Sequence, residues 1–317
     1  MPKERLDIRE QDRTDLGVYV TLRELIALQF EAHGFSFLPK FAVQSILSGR
    51  HRSKLRGRGL DFDQVRKYVA GDDIRNIDWR VTARVGVTHT KEFTEERERP
   101  VIFVIDQSQS MFFGSQAYFK SVVAAHLAAV GCWRVLEVGD RVGGIVFNEQ
   151  RIDFVSPKRD RRTVQRLLSV IVDYNRELKA KAVDVKIEEP LNEALKRTAQ
   201  MVSHDYLIVL ISDLGNANAQ TLKTLIRMRK NNDVIVGQIT DPLESYLLKE
   251  RYTISDGEFQ SQVGSSKKLR REFHEEVSNR MDKLKTDFKK YGIPLIPFDT
   301  RREAAKQLRD IVSGKTR

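Results

Sequence analysis

Asp106-Gln107-Ser108-Gln109-Ser110 places one carboxylate and two hydroxyls at alternate positions, directly after the apolar run Val101–Ile105. On a loop, oxygens spaced this way can converge on a hard cation, and magnesium favours oxygen ligands in octahedral geometry. A second apolar run, Leu207–Ile211, ends in Ser212-Asp213 and supplies another acid. If the two runs are neighbouring parallel strands, both acids stand at one edge of the sheet, and with the serines they form a candidate site for magnesium or manganese. The competing assignment is that Asp106 and the serines cap the turn and helix that follow.

Other chemistries lack their residues. A phosphatase of the haloacid-dehalogenase type needs a second aspartate two positions after the first, where this chain has Ser108. The six histidines are scattered, with neither zinc-ligand spacing nor a motif beside a nucleophile. No glycine-rich loop runs into Lys-Ser or Lys-Thr, so ATP hydrolysis is not expected. The single cysteine, Cys132, cannot form an intramolecular disulfide, which fits a reducing compartment. These residues favour a binding protein over an enzyme.

The elements that must position the acids follow from hydrophobic pattern. Val101–Ile105 and Leu207–Ile211 lack polar alternation, the mark of strands covered on both faces; they are predicted to be central and parallel. Further strands are expected at Arg141–Phe147, Ile152–Val155, Val234–Ile239 and Ile293–Phe298. Helices are expected at Tyr118–Leu136, Arg162–Val172, Pro190–Val202, Thr221–Lys230, Lys267–Tyr291 and Arg301–Ile311. Such alternation predicts an α/β fold, a doubly wound, mainly parallel sheet of Rossmann type with helices on both faces, whose ligands lie beyond the carboxyl ends of the strands. Upstream, Thr21–His33 reads as a helix with a Thr21/Glu24 capping box. Gly59–Arg99 reads as short strands and turns, including a strand at Val85–Phe93. The predicted organisation is therefore an N-terminal helix and basic loop at 1–58, a small β-rich subdomain at 59–99, and the α/β domain at 100–317.

The net charge of +11 raises nucleic acid as a partner. Basic residues gather at Gly49–Arg58 and Lys267–Arg271, but no aromatic side chains interleave to stack bases. Arg50, Arg52, Lys54 and Arg56 read instead as a solvated face that attracts an acidic protein surface. No apolar stretch reaches the ~20 residues of a membrane span, and Met1–Asp15 is charged throughout, so a cytoplasmic location is expected.

Asp-x-Ser-x-Ser followed by an acid on a later strand resembles the metal-ion-dependent adhesion site of the von Willebrand factor A (VWA) family. The resemblance implies Ser108 and Ser110 as direct ligands, with Asp106 and Asp213 as supporting acids and an open position for a partner's carboxylate. Near Glu188-Glu189-Pro190 the chain departs from that family, which usually has a threonine there. Further motifs resemble a more specific group: Arg56-Gly57-Arg58-Gly59-Leu60-Asp61-Phe62, Gly71-Asp72-Asp73-Ile74-Arg75-Asn76-Ile77-Asp78-Trp79-Arg80, Thr82-Ala83-Arg84 and Asp241-Pro242-Leu243-Glu244. They are similar to the VWA-related bacterial domain of unknown function number fifty-eight, often encoded beside MoxR-type AAA+ ATPases. That resemblance implies a protein-interaction module, an adaptor for such an ATPase in assembling or maturing another protein. Within Gly71–Arg84, ion pairs and the Trp79 indole are expected to fix the small sheet against the main domain.

Overall fold

The computed structural model describes residues 17–32, 60–95, 98–180, 186–247, 253–255, 260–262 and 281–314. The basic positions Arg50, Arg52, Lys54 and Arg56, and the run Lys267–Arg271, lie outside the described residues. The chain forms two compact units, one of Met1–Leu47 with Arg99–Arg317 and one of Ser48–Glu98.

Helix α1 (Leu22–Ala27) opens the described part of the larger unit. The Thr21 hydroxyl accepts from the Glu24 amide while the Glu24 carboxylate accepts from the Thr21 amide, which is the expected capping box. Leu25 is buried, and its carbonyl accepts from the Trp133 indole. This helix therefore belongs to the core of the larger unit, not to a separate segment ending at residue 58.

In the smaller unit, β1 (Leu60–Lys67) pairs antiparallel with β2 (His89–Glu95), and helix α2 (Trp79–Val85) lies between them in sequence. Val85–Val87 is thus not strand, contrary to the sequence pattern. Asp78 accepts from the Arg80 and Val81 amides, and Gly86 ends the helix at φ 73°, a conformation cheap only for glycine. Trp79, the first residue of this helix, is 68% exposed. Arg66 on β1, outside Gly71–Arg84, holds Asp72 through two hydrogen bonds of 2.7 and 2.8 Å within this unit.

The larger unit is built on β3 (Pro100–Asp106), α3 (Lys120–Glu137), β4 (Arg141–Phe147), β5 (Ile152–Lys158), α4 (Arg161–Glu177), α5 (Pro190–Met201), β6 (Leu207–Ser212), α6 (Ala219–Arg229) and β7 (Asp233–Thr240). A short helix α7 (Pro242–Leu247), a small pair β8 (Thr253–Ser255) and β9 (Gln260–Gln262), helical residues 281–290 (α8), β10 (Leu295–Asp299) and α9 (Ala304–Val312) complete it. Six strands make one sheet in the order β10-β7-β6-β3-β4-β5, parallel except for β5, which returns antiparallel to β4. The two strands predicted to be central are neighbours in the middle, with Val101 opposite Leu207 and Ile105 opposite Ile211.

Alternation along β3 explains the double winding. Val101, Phe103 and Ile105 join the core beneath α1, α3, α4 and α9, while Ile102 and Val104 join the core beneath α5, α6 and α8. Each fully buried side chain of this kind contributes about 1.5–3 kcal/mol, so both faces of β3 hold helices in place. On the first face, α3 comes close enough that a Cβ at Gly131 would meet the Phe103 ring at 2.6 Å. From β3 the chain winds one way to β4, and from β6 the other way to β7. The crevice between the carboxyl ends of β3 and β6 is the switch point of the sheet, where ligands collect in folds of this type.

Candidate functional site

Asp106, Ser108 and Ser110 at the end of β3 and Asp213 just past β6 stand at that switch point. β3 keeps its register past its end, since the Gln107 amide donates to the Phe147 carbonyl. Gln107 is fully buried; its amide nitrogen donates to the Ser121 carbonyl, and its oxygen accepts from Asn175, whose own oxygen accepts from the Val20 amide. This anchor under the loop fixes where Asp106 and Ser108 can stand. Asp106 accepts from the Ser108 amide at 2.9 Å through one oxygen and from the Ser212 hydroxyl at 2.6 Å through the other. The Ser108 and Ser110 hydroxyl oxygens are 3.2 Å apart, with Ser108 buried and Ser110 exposed.

The second acid is positioned by backbone strain. Leu214, fully buried, has φ 59°, which for a non-glycine residue costs roughly 1–2 kcal/mol. This turn lets the Leu214 amide reach the Ser212 hydroxyl and the Gly215 amide reach one oxygen of Asp213, at 2.8 Å. Burial, and then the neighbouring charge of Asp213, push the Asp106 carboxyl up to about 7, against hydrogen bonds from Ser108 and Ser212.

The sequence pattern did not reveal the group on the other oxygen of Asp213. The Lys120 ammonium donates to it at 2.8 Å and also to a carboxylate oxygen of Glu244. Lys120 is the first residue of α3, and its side chain is 3% exposed. Burial alone would lower its pKa, but the charges and hydrogen bonds of Asp213 and Glu244 outweigh that and hold it above the ordinary lysine value. A cation at a helix N-terminus opposes the macrodipole, and this was the available clue that acids must face it. Glu244 is fixed in turn, because its second oxygen accepts from the Asp241 amide. The Asp241 carboxylate takes donors from Ser115, Thr300 and the Leu243 amide. Glu149 was also missed; both its oxygens accept from the Gln109 amide. At the place where a threonine was wanting, Glu188 is exposed and Glu189 accepts from Asn192 and Asn218.

Asp106 is hydrogen-bonded to Ser108, and Asp213 is near enough to act on its charge, yet the set does not fit a divalent ion as it stands. Both oxygens of each acid already accept from the chain, and an ammonium sits on Asp213. Among the described residues, no group of three or more His, Cys, Asp or Glu side chains forms a metal-binding cluster. Cys132, buried with its thiol pushed up by burial, offers no nucleophile.

The sheet is a 3-2-1-4-5-6 doubly wound order with an antiparallel edge strand, and Asp-x-Ser-x-Ser follows its first strand with Ser-Asp after its fourth. That combination defines a VWA-type α/β module. A family model described as "Protein of unknown function DUF58" matches residues 64–283, and the chain belongs to this family. It is 26% identical over 204 residues to Uncharacterized protein Rv1480 of Mycobacterium tuberculosis and to Uncharacterized protein Mb1516 of Mycobacterium bovis, 64% of this chain in each case. The chain spans 62% of the length of these relatives. Similar solved structures include BatB from Bacteroides thetaiotaomicron, at 15% identity and TM-score 0.40 over 69% of this chain and 100% of that one. The SpRpn10 VWA domain is similar at 12% identity and TM-score 0.38, over 68% and 95% of the two chains. No described helix is long and apolar enough to cross a membrane.

Proposed function

We propose that this chain is a protein-interaction module, not an enzyme, and that it binds its partner with the carboxyl edge of the sheet at the β3–β6 switch point. One observation carries the reading: the acids at this edge that could do acid–base or nucleophilic chemistry are spent on the chain itself. Asp106, Asp213 and Asp241 each accept two or more hydrogen bonds from the chain's own backbone and side chains. Groups held this way make a rigid rim, and the exposed Ser110 and half-exposed Gln109 stand on it. Rigid rims lower the ordering cost of association. The resemblance at Gly71–Arg84 makes a MoxR-type AAA+ ATPase the first partner to test, with this chain as its adaptor in assembling or maturing a third protein.

The test is equilibrium binding of the full chain to a purified MoxR-type ATPase from the same organism, comparing wild type with Ser110→Arg. A bulky charge at the centre of an interface is expected to weaken binding by roughly tenfold or more, with the melting temperature of the chain unchanged. Equal affinity would remove this edge from the interface.

A further inference from the structure

We propose that the Lys120 ammonium is itself the cation of this site: a tethered side chain fills the place beside Asp213, and a divalent ion binds there only when Lys120 is displaced. The inference is independent of which partner the edge binds.

Position comes first. The Lys120 Nζ is 2.8 Å from Asp213 and bonded also to Glu244, and its side chain is sealed from water at 3% exposure. The ammonium of a lysine is a compact point charge with three donors and no acceptor, so it satisfies carboxylates as a bound ion does. The acids are placed without its help. The Gly215 amide holds Asp213, and the Asp241 amide holds Glu244, with Asp241 itself pinned by Ser115 and Thr300. The lysine therefore enters a ready-made anionic notch.

Its own helix gives no reason for it. At the first turn of α3 an acid or a neutral residue is favoured and a cation is not, and the next thirteen residues are buried. A dication brought to Asp213 would stand beside this ammonium in a poorly screened interior, where like charges repel strongly. Ammonium and metal are thus alternatives for one carboxylate. The ammonium cannot diffuse away, so the rim keeps its shape at any magnesium concentration.

The experiment titrates Mn2+ into the full chain and follows the free ion by electron paramagnetic resonance, for wild type, Lys120→Met, Lys120→Arg and Lys120→Met/Asp213→Asn. Thermal melts of the same proteins are recorded in EDTA and in MnCl2. Mn2+ is expected to bind Lys120→Met at least tenfold more tightly than wild type, with binding lost in the double variant. Lys120→Met should also melt lower in EDTA and recover in MnCl2, while wild type melts alike in both. Wild-type binding as tight as that of Lys120→Met, and removed by Asp213→Asn, would overturn the proposal. So would a folded Lys120→Met that binds no Mn2+. Should Lys120→Met fail to fold, wild type and Lys120→Arg decide. Mn2+ bound by either and removed by Asp213→Asn contradicts the proposal, and no binding to both, with matching melts in EDTA and MnCl2, supports it.

Discussion

Each end of the central sheet sets a cation against acids, and the two ends do it differently. At the amino end, Arg99 precedes β3 and spreads its guanidinium over Asp233 at the start of β7 and the carbonyls of Asp205 and Tyr206 before β6. Its own amide donates to Asp140 in the turn before β4. The Arg99 side chain is 24% exposed, so water shares the load. At the carboxyl end, Lys120 concentrates one charge on two carboxylates and is 3% exposed. A planar fork suits a staple across several strands, whereas a point charge suits a single acidic notch. The amino end is a splint that tolerates loosening. The carboxyl end stores unfavourable burial at the place where ligands of such sheets sit.

Burial should rank the damage done by breaking each pair. Lys120→Met leaves Asp213 and Glu244 facing each other without a cation, and in EDTA it is expected to cost about 3–5 kcal/mol in a denaturant melt; a loss near zero would show that the acids do not need it. Asn175→Leu tests the neutral anchor under the same loop. It strands the Gln107 oxygen and the Val20 amide and should cost about 1–3 kcal/mol, while Lys120 and Asp213 stay paired. Arg99→Met should cost about 1–2 kcal/mol, since partial exposure lets water replace some of its bonds. If Arg99→Met costs more than Lys120→Met, the ranking by burial is wrong.

The smallest effect belongs to the half-buried pair Arg66–Asp72 in the smaller unit. Hydrogen bonds from Arg66 and the Val69 amide lower the Asp72 carboxyl to about 2. A depressed folded-state value adds stability that is full above the unfolded value of about 3.9 and is lost as pH falls towards 2. Asp72→Asn should therefore change the melting temperature slightly at pH 7, and the difference from wild type should vanish across that acid window.

Much of the larger unit was legible because its determinants are local. The unbroken apolar runs in β3 and β6 fix two-sided burial, and Thr21 with Glu24 fixes a helix start. Asp106, Ser108, Ser110 and Asp213 were legible as well, since strand ends in an alternating α/β pattern share one edge. Lys120 was not, because its partners lie 93 and 124 residues away and meet it only through the strand order. The helix Trp79–Val85 was hidden by the β-branched run that follows it. Asp78 as cap and Gly86 as stop bracket that helix, and these local signals outweigh the alternation. The place of Glu189 could not be read either, because its bonds to Asn192 and Asn218 join two helix starts that are distant in sequence.

The most direct test of a built-in cation at the switch point is diffraction from crystals of the full chain grown in MnCl2, with anomalous data collected at the manganese edge. The expected result is Lys120 Nζ within hydrogen-bond distance of Asp213 and Glu244, with no anomalous peak among Asp106, Ser108, Ser110 and Asp213. A manganese peak ligated by Ser108 and Ser110, with the Lys120 side chain turned away from Asp213, would contradict it.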